Sequence, residues 1–197
     1  MGVLEHLKKH RSQIVGDWFK AVIATYPPEA SKLFSNLSNS FDNPVGSTAK
    51  KSLENVFDAL VEGADRKTIK PLLDPIIRIR AVQEFTPTQA LNFIMDLKRI
   101  VRESLKKQLK KDDALRRSLT ELDARIDVLV FVGFDIYMGC REQIYAFKAN
   151  HVKDRTLRLL KKANVLCEVP EVGTEIIPYN VYKNGGFGST ETEEEGG

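Results

Sequence analysis

From Leu115 to Val165 the chain contains no proline, and only Gly133 and Gly139 interrupt a run compatible with helix throughout. A helix of that size would be about 75 Å long, more than the width of a small domain. Its centre, Val128 to Tyr137, is apolar almost all round, which predicts burial on most sides. Beyond it the apolar positions thin to Ile144, Phe147, Val152, Leu157 and Leu160. The pattern fits one long helix, or two joined near residue 150. Its distal part is expected to leave the globule and to need a partner or a bend.

The segments before it are helical as well, so the fold class is all-α. Leu4, Leu7, Ile14, Trp18 and Val22 recur at helical spacing and predict one amphipathic first helix, ended by Tyr26-Pro27-Pro28. Residues 29–36 suit a short helical turn. Asn43-Pro44 reads as N-cap and first helical position of a helix to about Glu62, stopped by Gly63. Asp65 starts an element containing Pro71 and Pro75, with a break expected at Asp74-Pro75. Thr86-Pro87-Thr88-Gln89 is a capping box. It opens a helix with Leu91, Ile94, Leu97, Val101 and Leu105 on one stripe, and Asp112-Asp113 restarts the chain into the long helix. The domain reading is a body over 1–150, the end of the long helix over 151–166, and an acidic, mostly irregular tail over 167–197.

Charge supports that division. The formal net charge of +3 hides an uneven distribution. Residues 167–197 carry seven acids against Lys183, a net of −6, and the remaining 166 residues carry +9. The basic run Lys98 to Arg117 lacks a recognition-helix motif and interleaved aromatics, so it reads as a solvated helix end rather than a nucleic-acid surface. Cys140 and Cys167 form neither a disulfide framework nor a paired metal motif. The opening residues Met1 to Val15 are too charged for a signal peptide, and no apolar run reaches membrane-spanning length. Both point to a cytoplasmic protein.

Catalytic chemistry finds little support. His6 and His10 stand four apart, a metal-ligand spacing, but among Lys8, Lys9 and Arg11 they read as exposed polar residues. His151 reads as a surface residue. No histidine lies between His10 and His151 to ligate a haem, which leaves only Met95, Met138, Cys140 and the tyrosines. Cys140 reads as a small buried hydrophobe, and Cys167 as the more exposed thiol. Carboxylate pairs such as Asp112-Asp113 fall at caps or on polar faces. There is no phosphate loop and no nucleophile elbow. No catalytic residue, cofactor or metal is expected, and the protein is not expected to be an enzyme.

Several strings together carry a resemblance. They are Trp18 in the first helix, Phe41-Asp42-Asn43-Pro44-Val45-Gly46, Leu72-Leu73-Asp74, the run Ile77 to Gln83, Phe85-Thr86-Pro87-Thr88-Gln89-Ala90, and Leu97-Lys98. Over roughly residues 10–150 they resemble the RsbRD N-terminal domain family, the sensor-type domain at the front of stressosome co-antagonist proteins. The resemblance implies a globin-like helical bundle lacking haem, a homodimer, and a long C-terminal helix. In stressosome proteins that helix leads to a STAS domain, for which residues 167–197 are too few. Stand-alone members also resemble small proteins encoded beside genes of a membrane redox complex, which suggests a protein partner linked to one.

The expected function is therefore a non-catalytic sensor, regulatory or adaptor protein acting through homodimerisation and protein–protein contacts. Ile176, Ile177, Pro178 and Tyr179 form the candidate partner-binding segment of the tail. The alternative is a small-ligand-binding, or haem- or redox-sensing, globin-like domain. Trp18, Phe57, Phe93, Phe131, Phe134 and Tyr137 are its candidate pocket walls, and an ordinary aromatic core is the competing reading for them.

Overall fold

The computed structural model describes residues 2–36, 43–109 and 112–163. Within them the chain forms seven helices and no strand: α1 (Val3–Lys9), α2 (Arg11–Ile23), α3 (Pro28–Ser35), α4 (Pro44–Glu62), α5 (Arg66–Val82), α6 (Pro87–Leu109) and α7 (Asp113–Lys162). Contacts divide the chain into Met1–Val152 and Lys153–Gly197. In the second part, the helical residues up to Lys162 are all exposed.

Local chemistry sets the helix ends. Asn43 Oδ1 accepts from Gly46 N at 2.8 Å, capping α4, and Asn43 Nδ2 donates to the carbonyls of Phe34 and Asn36, both at 2.8 Å. One buried amide thus closes the end of α3 onto the start of α4. Gly46 is required there, because a Cβ would overlap the Phe34 carbonyl and the Asn43 amide. Gly63 ends α4 in the left-handed conformation. Asp65 caps α5 through Thr68 N. The Thr86/Gln89 box closes reciprocally, with Gln89 N to Thr86 Oγ1 at 3.3 Å and Thr86 N to Gln89 Oε1 at 3.0 Å. Asp112 caps α7 through Leu115 N.

Three expectations need correction. The first helix is two, because the chain turns at His10. The hydrogen bonds continue across the turn, from His10 N to His6 O and from Ile14 N to His10 O. The turn shifts the buried face of α1 to Val3, His6 and Leu7, and Leu4 is exposed. The break expected at Asp74-Pro75 does not occur, and α5 continues through both prolines. Pro71 is exposed and Pro75 half-buried, so water can reach the carbonyls that each proline leaves without a donor. Ile69, Leu73, Ile76 and Ile77 on the opposite face hold the helix in place. Finally, the centre of α7 is buried on one side only. Leu115, Leu119, Leu122, Ile126, Leu129, Gly133, Ile136 and Cys140 form its inner row, while Phe131 and Phe134 are exposed.

The core is built from α2 against α4 and α6, α4 against α5, and α5 against α6. Gly133 lets α7 approach the Leu91, Ile94 and Leu73 side chains, where a Cβ would stand 2.9 Å from Leu91 Cδ2. Lys98–Asp127 at 2.6 Å and Arg102–Asp123 join α6 to α7, and Arg11 holds Asp58 through two bonds of 2.6 Å between α2 and α4.

Candidate functional site

Two places stand out, and neither is the pocket expected from the aromatic residues. Trp18, Phe57 and Phe93 are fully buried, and Trp18 Nε1 donates to the Phe93 carbonyl at 2.7 Å. They fill the core. Tyr137 is buried too, and its hydroxyl donates to the Phe85 carbonyl at 2.6 Å. Phe131 lies on the outer side of α7, 61% exposed, and Phe134, 46% exposed, lines an open cleft with Leu91, Met95 and Val130, so the six residues do not line one cavity. The segment Ile176 to Tyr179 and Cys167 lie outside the described residues.

The first place is the corner between α5 and α6. Arg80 is fully buried. Ile69, Leu73, Ile76 and Arg80 share one face of α5, so the helix turns this arginine inward while Arg78, two residues earlier, faces out. Its Nε donates to the Ala90 carbonyl at 3.1 Å, and Nη2 donates to the Gln89 carbonyl at 2.7 Å and to Thr25 Oγ1 at 3.1 Å. Its Nη1 has no hydrogen-bond partner among the described residues, and no described carboxylate pairs with it. Aromatic faces surround the cation, with Cζ 4.4 Å from the Phe85 ring, 5.5 Å from Tyr26 and 5.6 Å from Phe93. Burial lowers the Arg80 pKa from its ordinary value. Burial raises that of Tyr26, and the Arg80 charge offsets part of the rise.

Beside this cation lies an open cleft of about 430 Å³ lined by Tyr26, Pro27, Ala30, Phe34, Gln83, Glu84, Phe85 and Gln89. Tyr26 meets Phe34 and Phe85 edge-on, at 4.9 and 5.2 Å between ring centres, and its hydroxyl donates to Gln83 Oε1 at 2.8 Å. The corner itself is a left-handed helix stop. Phe85 N bonds the Arg80 carbonyl at 3.3 Å across Glu84, whose φ of 64° is a conformation that glycine usually occupies. Helix α7 holds this corner through Tyr137, through Arg141 donating to the Ala81 carbonyl at 3.2 Å, and through Lys148 at 3.6 Å from Glu84.

The second place is the outer side of α7. Phe131, Met138, Tyr145 and Val152 follow each other at seven-residue steps, and the sequence continues the series at Leu159. Phe131, Tyr145 and Val152 are 61%, 57% and 62% exposed, and Met138 is half-buried. Phe131 faces away from Leu129, two residues or about 200° from it, while Met138 still packs partly against the core. Asp135 and Glu142 flank the row on one side, Arg141 and Lys148 on the other. Near the N-terminus, His6 corrects another expectation. It is buried, its Nε2 lies 3.2 Å from Ser104 Oγ, and its ring centre is 4.3 Å from that of His10, the two planes tilted by 34°. Among the described residues no group of three or more His, Cys, Asp or Glu is placed to hold a metal.

Comparison with known families decides the affiliation. The family model of the RsbT co-antagonist protein rsbRD N-terminal domain matches residues 12–151. The chain belongs to the RsbRD N-terminal domain family. The match spans all of α3 to α6, nearly all of α2 and most of α7, and includes both the Arg80 corner and most of the outer row. The RsbRD N-terminal domain is a regulatory, sensor-type domain and not a known enzyme family. No curated protein and no solved structure matches the chain significantly. No described helix is long and apolar enough to cross a membrane.

Proposed function

We propose that this protein is a non-catalytic, cytoplasmic sensor or adaptor that works as a homodimer, with a second copy seated on the outer row of α7. The single observation behind this reading is the seven-residue series Phe131, Met138, Tyr145, Val152, in which Phe131, Tyr145 and Val152 are exposed and Met138 is half-buried against the core. Large apolar side chains repeating every seven residues along an uninterrupted helix supply one of the two core positions of a two-helix seam. Isolated exposed apolar residues need no explanation, but a periodic row of them does.

The flanking charges favour a parallel pair. In a parallel two-helix seam each flank meets the opposite flank of the partner, which sets Asp135 and Glu142 against Arg141 and Lys148. An antiparallel pair would set like against like. A globin-like ancestry without haem accords with this assignment, as does partner docking by the tail segment Ile176 to Tyr179 to a protein linked to a membrane redox complex.

Sedimentation equilibrium at micromolar concentration tests the dimer. The wild-type chain is expected to run as a dimer, and the double variant Phe131→Asp/Tyr145→Asp as a folded monomer. A wild-type monomer under these conditions overturns the reading. For the tail, capture of partners with and without residues 167–197 gives the answer, and equal recovery removes its role.

A further inference from the structure

We propose that the cleft at the α5–α6 corner is a binding site for a small aromatic monocarboxylate, read by the Arg80 guanidinium behind the cleft's aromatic wall. A fully buried cation normally has an acidic partner, because its desolvation is otherwise uncompensated. Arg80 has carbonyls and a hydroxyl around Nε and Nη2, the Tyr26 hydroxyl within electrostatic reach, no paired carboxylate among the described residues, and an Nη1 group with no acceptor at hydrogen-bond distance. Buried donors without partners are rare, and a bound ligand is one way to satisfy them. A carboxylate supplies both missing parts at once, the counter-charge and the acceptor.

Position links this need to the cleft. Tyr26, Phe85 and Gln89 line the cleft and also contact Arg80, two through their rings and one through its carbonyl. The Tyr26, Phe34 and Phe85 rings with Pro27 and Ala30 give an apolar bed for a flat ring, and the amides of Gln83 and Gln89 offer donors at the rim. The apolar surroundings leave the field of Arg80 weakly screened. Nη1 is sealed from solvent in this conformation, so binding requires the Tyr26 ring to swing. Its hydroxyl is tied to the exposed Gln83 side chain and attracted by Arg80, contacts that the entering carboxylate would replace. Glu84 on the rim sets a limit on charge, because it opposes phosphate and other multiply charged anions more than a monocarboxylate.

This inference deepens the sensor reading, since Phe85 contributes its ring to the cleft and its carbonyl to Tyr137 of α7. Its test does not depend on the dimer. Benzoate, as the probe, is titrated into the full chain by calorimetry, with inorganic phosphate at matched ionic strength as control. Side-chain nitrogen NMR follows the arginine resonances. Benzoate is expected to bind saturably and to shift the Arg80 signal, and phosphate to do neither. Ala30→Trp, which fills the cleft from a half-buried rim position, is expected to weaken benzoate by about tenfold or more. Arg80→Gln, checked for folding by circular dichroism, supplies a second variant with the same expected loss. No saturable benzoate binding overturns the proposal, as does binding unaffected by Ala30→Trp or matched by phosphate. Such a failure leaves the dimer reading standing, because sedimentation judges that separately.

Discussion

At the scale of single residues, the corner is built from side chains in uncommon settings. Glu84 holds a left-handed backbone that costs an ordinary L-residue roughly 1–2 kcal/mol. Glu84→Gly removes that strain and forfeits an exposed 3.6 Å approach to Lys148 and a weaker attraction to Arg141. Allowing for the greater unfolded-state freedom of glycine, the variant should gain about 1 kcal/mol in urea unfolding. A loss of stability would mean that the Glu84 side chain contributes more than its exposure implies. His6 supplies a pH-dependent term. Ser104 Oγ donates its proton to the Val101 carbonyl, so it accepts from His6 Nε2, and Nδ1 is left as an unpaired acceptor. Protonation would add a buried N–H there with nothing to receive it. Burial first, then the charges of His10 and Lys9, lowers the His6 pKa below its ordinary 6.5. The folded chain therefore binds this proton less readily than the unfolded one. The contribution is fully present above pH 6.5 and is lost as pH falls through the lowered folded value. Urea unfolding from pH 8 to pH 5 should show that fall, and His6→Asn should flatten it. Arg80 shows what single-residue reading misses. An arginine is assigned to solvent by type, yet the series Ile69, Leu73, Ile76, Arg80 places it on the apolar face of α5, where only its spacing betrays it.

Elements were legible where their signals are local. The Asn43-Pro44 cap, the Thr86–Gln89 box, the Asp112 cap and the Gly63 stop each rest on contacts within three or four residues, and all were readable from sequence. Helix α5 was not, because the packing of Ile69, Leu73, Ile76 and Ile77 overrides the two prolines. Pro71 and Pro75 stand four apart, so the ring of Pro75 is set against the Pro71 carbonyl, whose helical donor it has removed. Pro75→Ala should restore that bond and raise unfolding stability by about 1 kcal/mol or more, after the entropy a proline removes from the unfolded chain. Equilibrium denaturation checks this, and an unchanged midpoint would show that water already satisfies the Pro71 carbonyl in full. Helix α7 illustrates a second limit. A segment apolar on all sides carries no amphipathic direction, so the sequence pattern alone does not set Phe131 and Phe134 apart from a pocket wall. The seven-residue step from Phe131 to Leu159 was present in the sequence and separates the outer row from the inner one.

For the whole molecule, the orientation of the proposed pair can be read by cross-linking. In a Cys167→Ser background, Met138→Cys, Tyr145→Cys and Val152→Cys each place a thiol on the outer row, apart from the buried Cys140. A parallel pair in register brings each residue to its own copy, so all three variants should form disulfide-linked dimers under mild oxidation. An antiparallel pair can do so only at the one position nearest its two-fold axis. Non-reducing electrophoresis separates these outcomes, and cross-linking at a single position would reject the parallel arrangement. The family affiliation was legible from motifs over residues 10–150, against a match over 12–151. Those motifs are concentrated around the corner that holds Arg80.

The outer row of α7 also fixes a handedness. A helix completes a turn in 3.6 residues, so positions repeating every seven drift by about 20° per repeat against the helix axis. From Phe131 to Val152 the row takes three such steps and winds by about 60° around α7. Two straight helices laid side by side would lose contact along it. A pair that keeps Phe131 and Val152 in the same seam must coil left-handed, and a change in that winding at one end would be felt as rotation at the other.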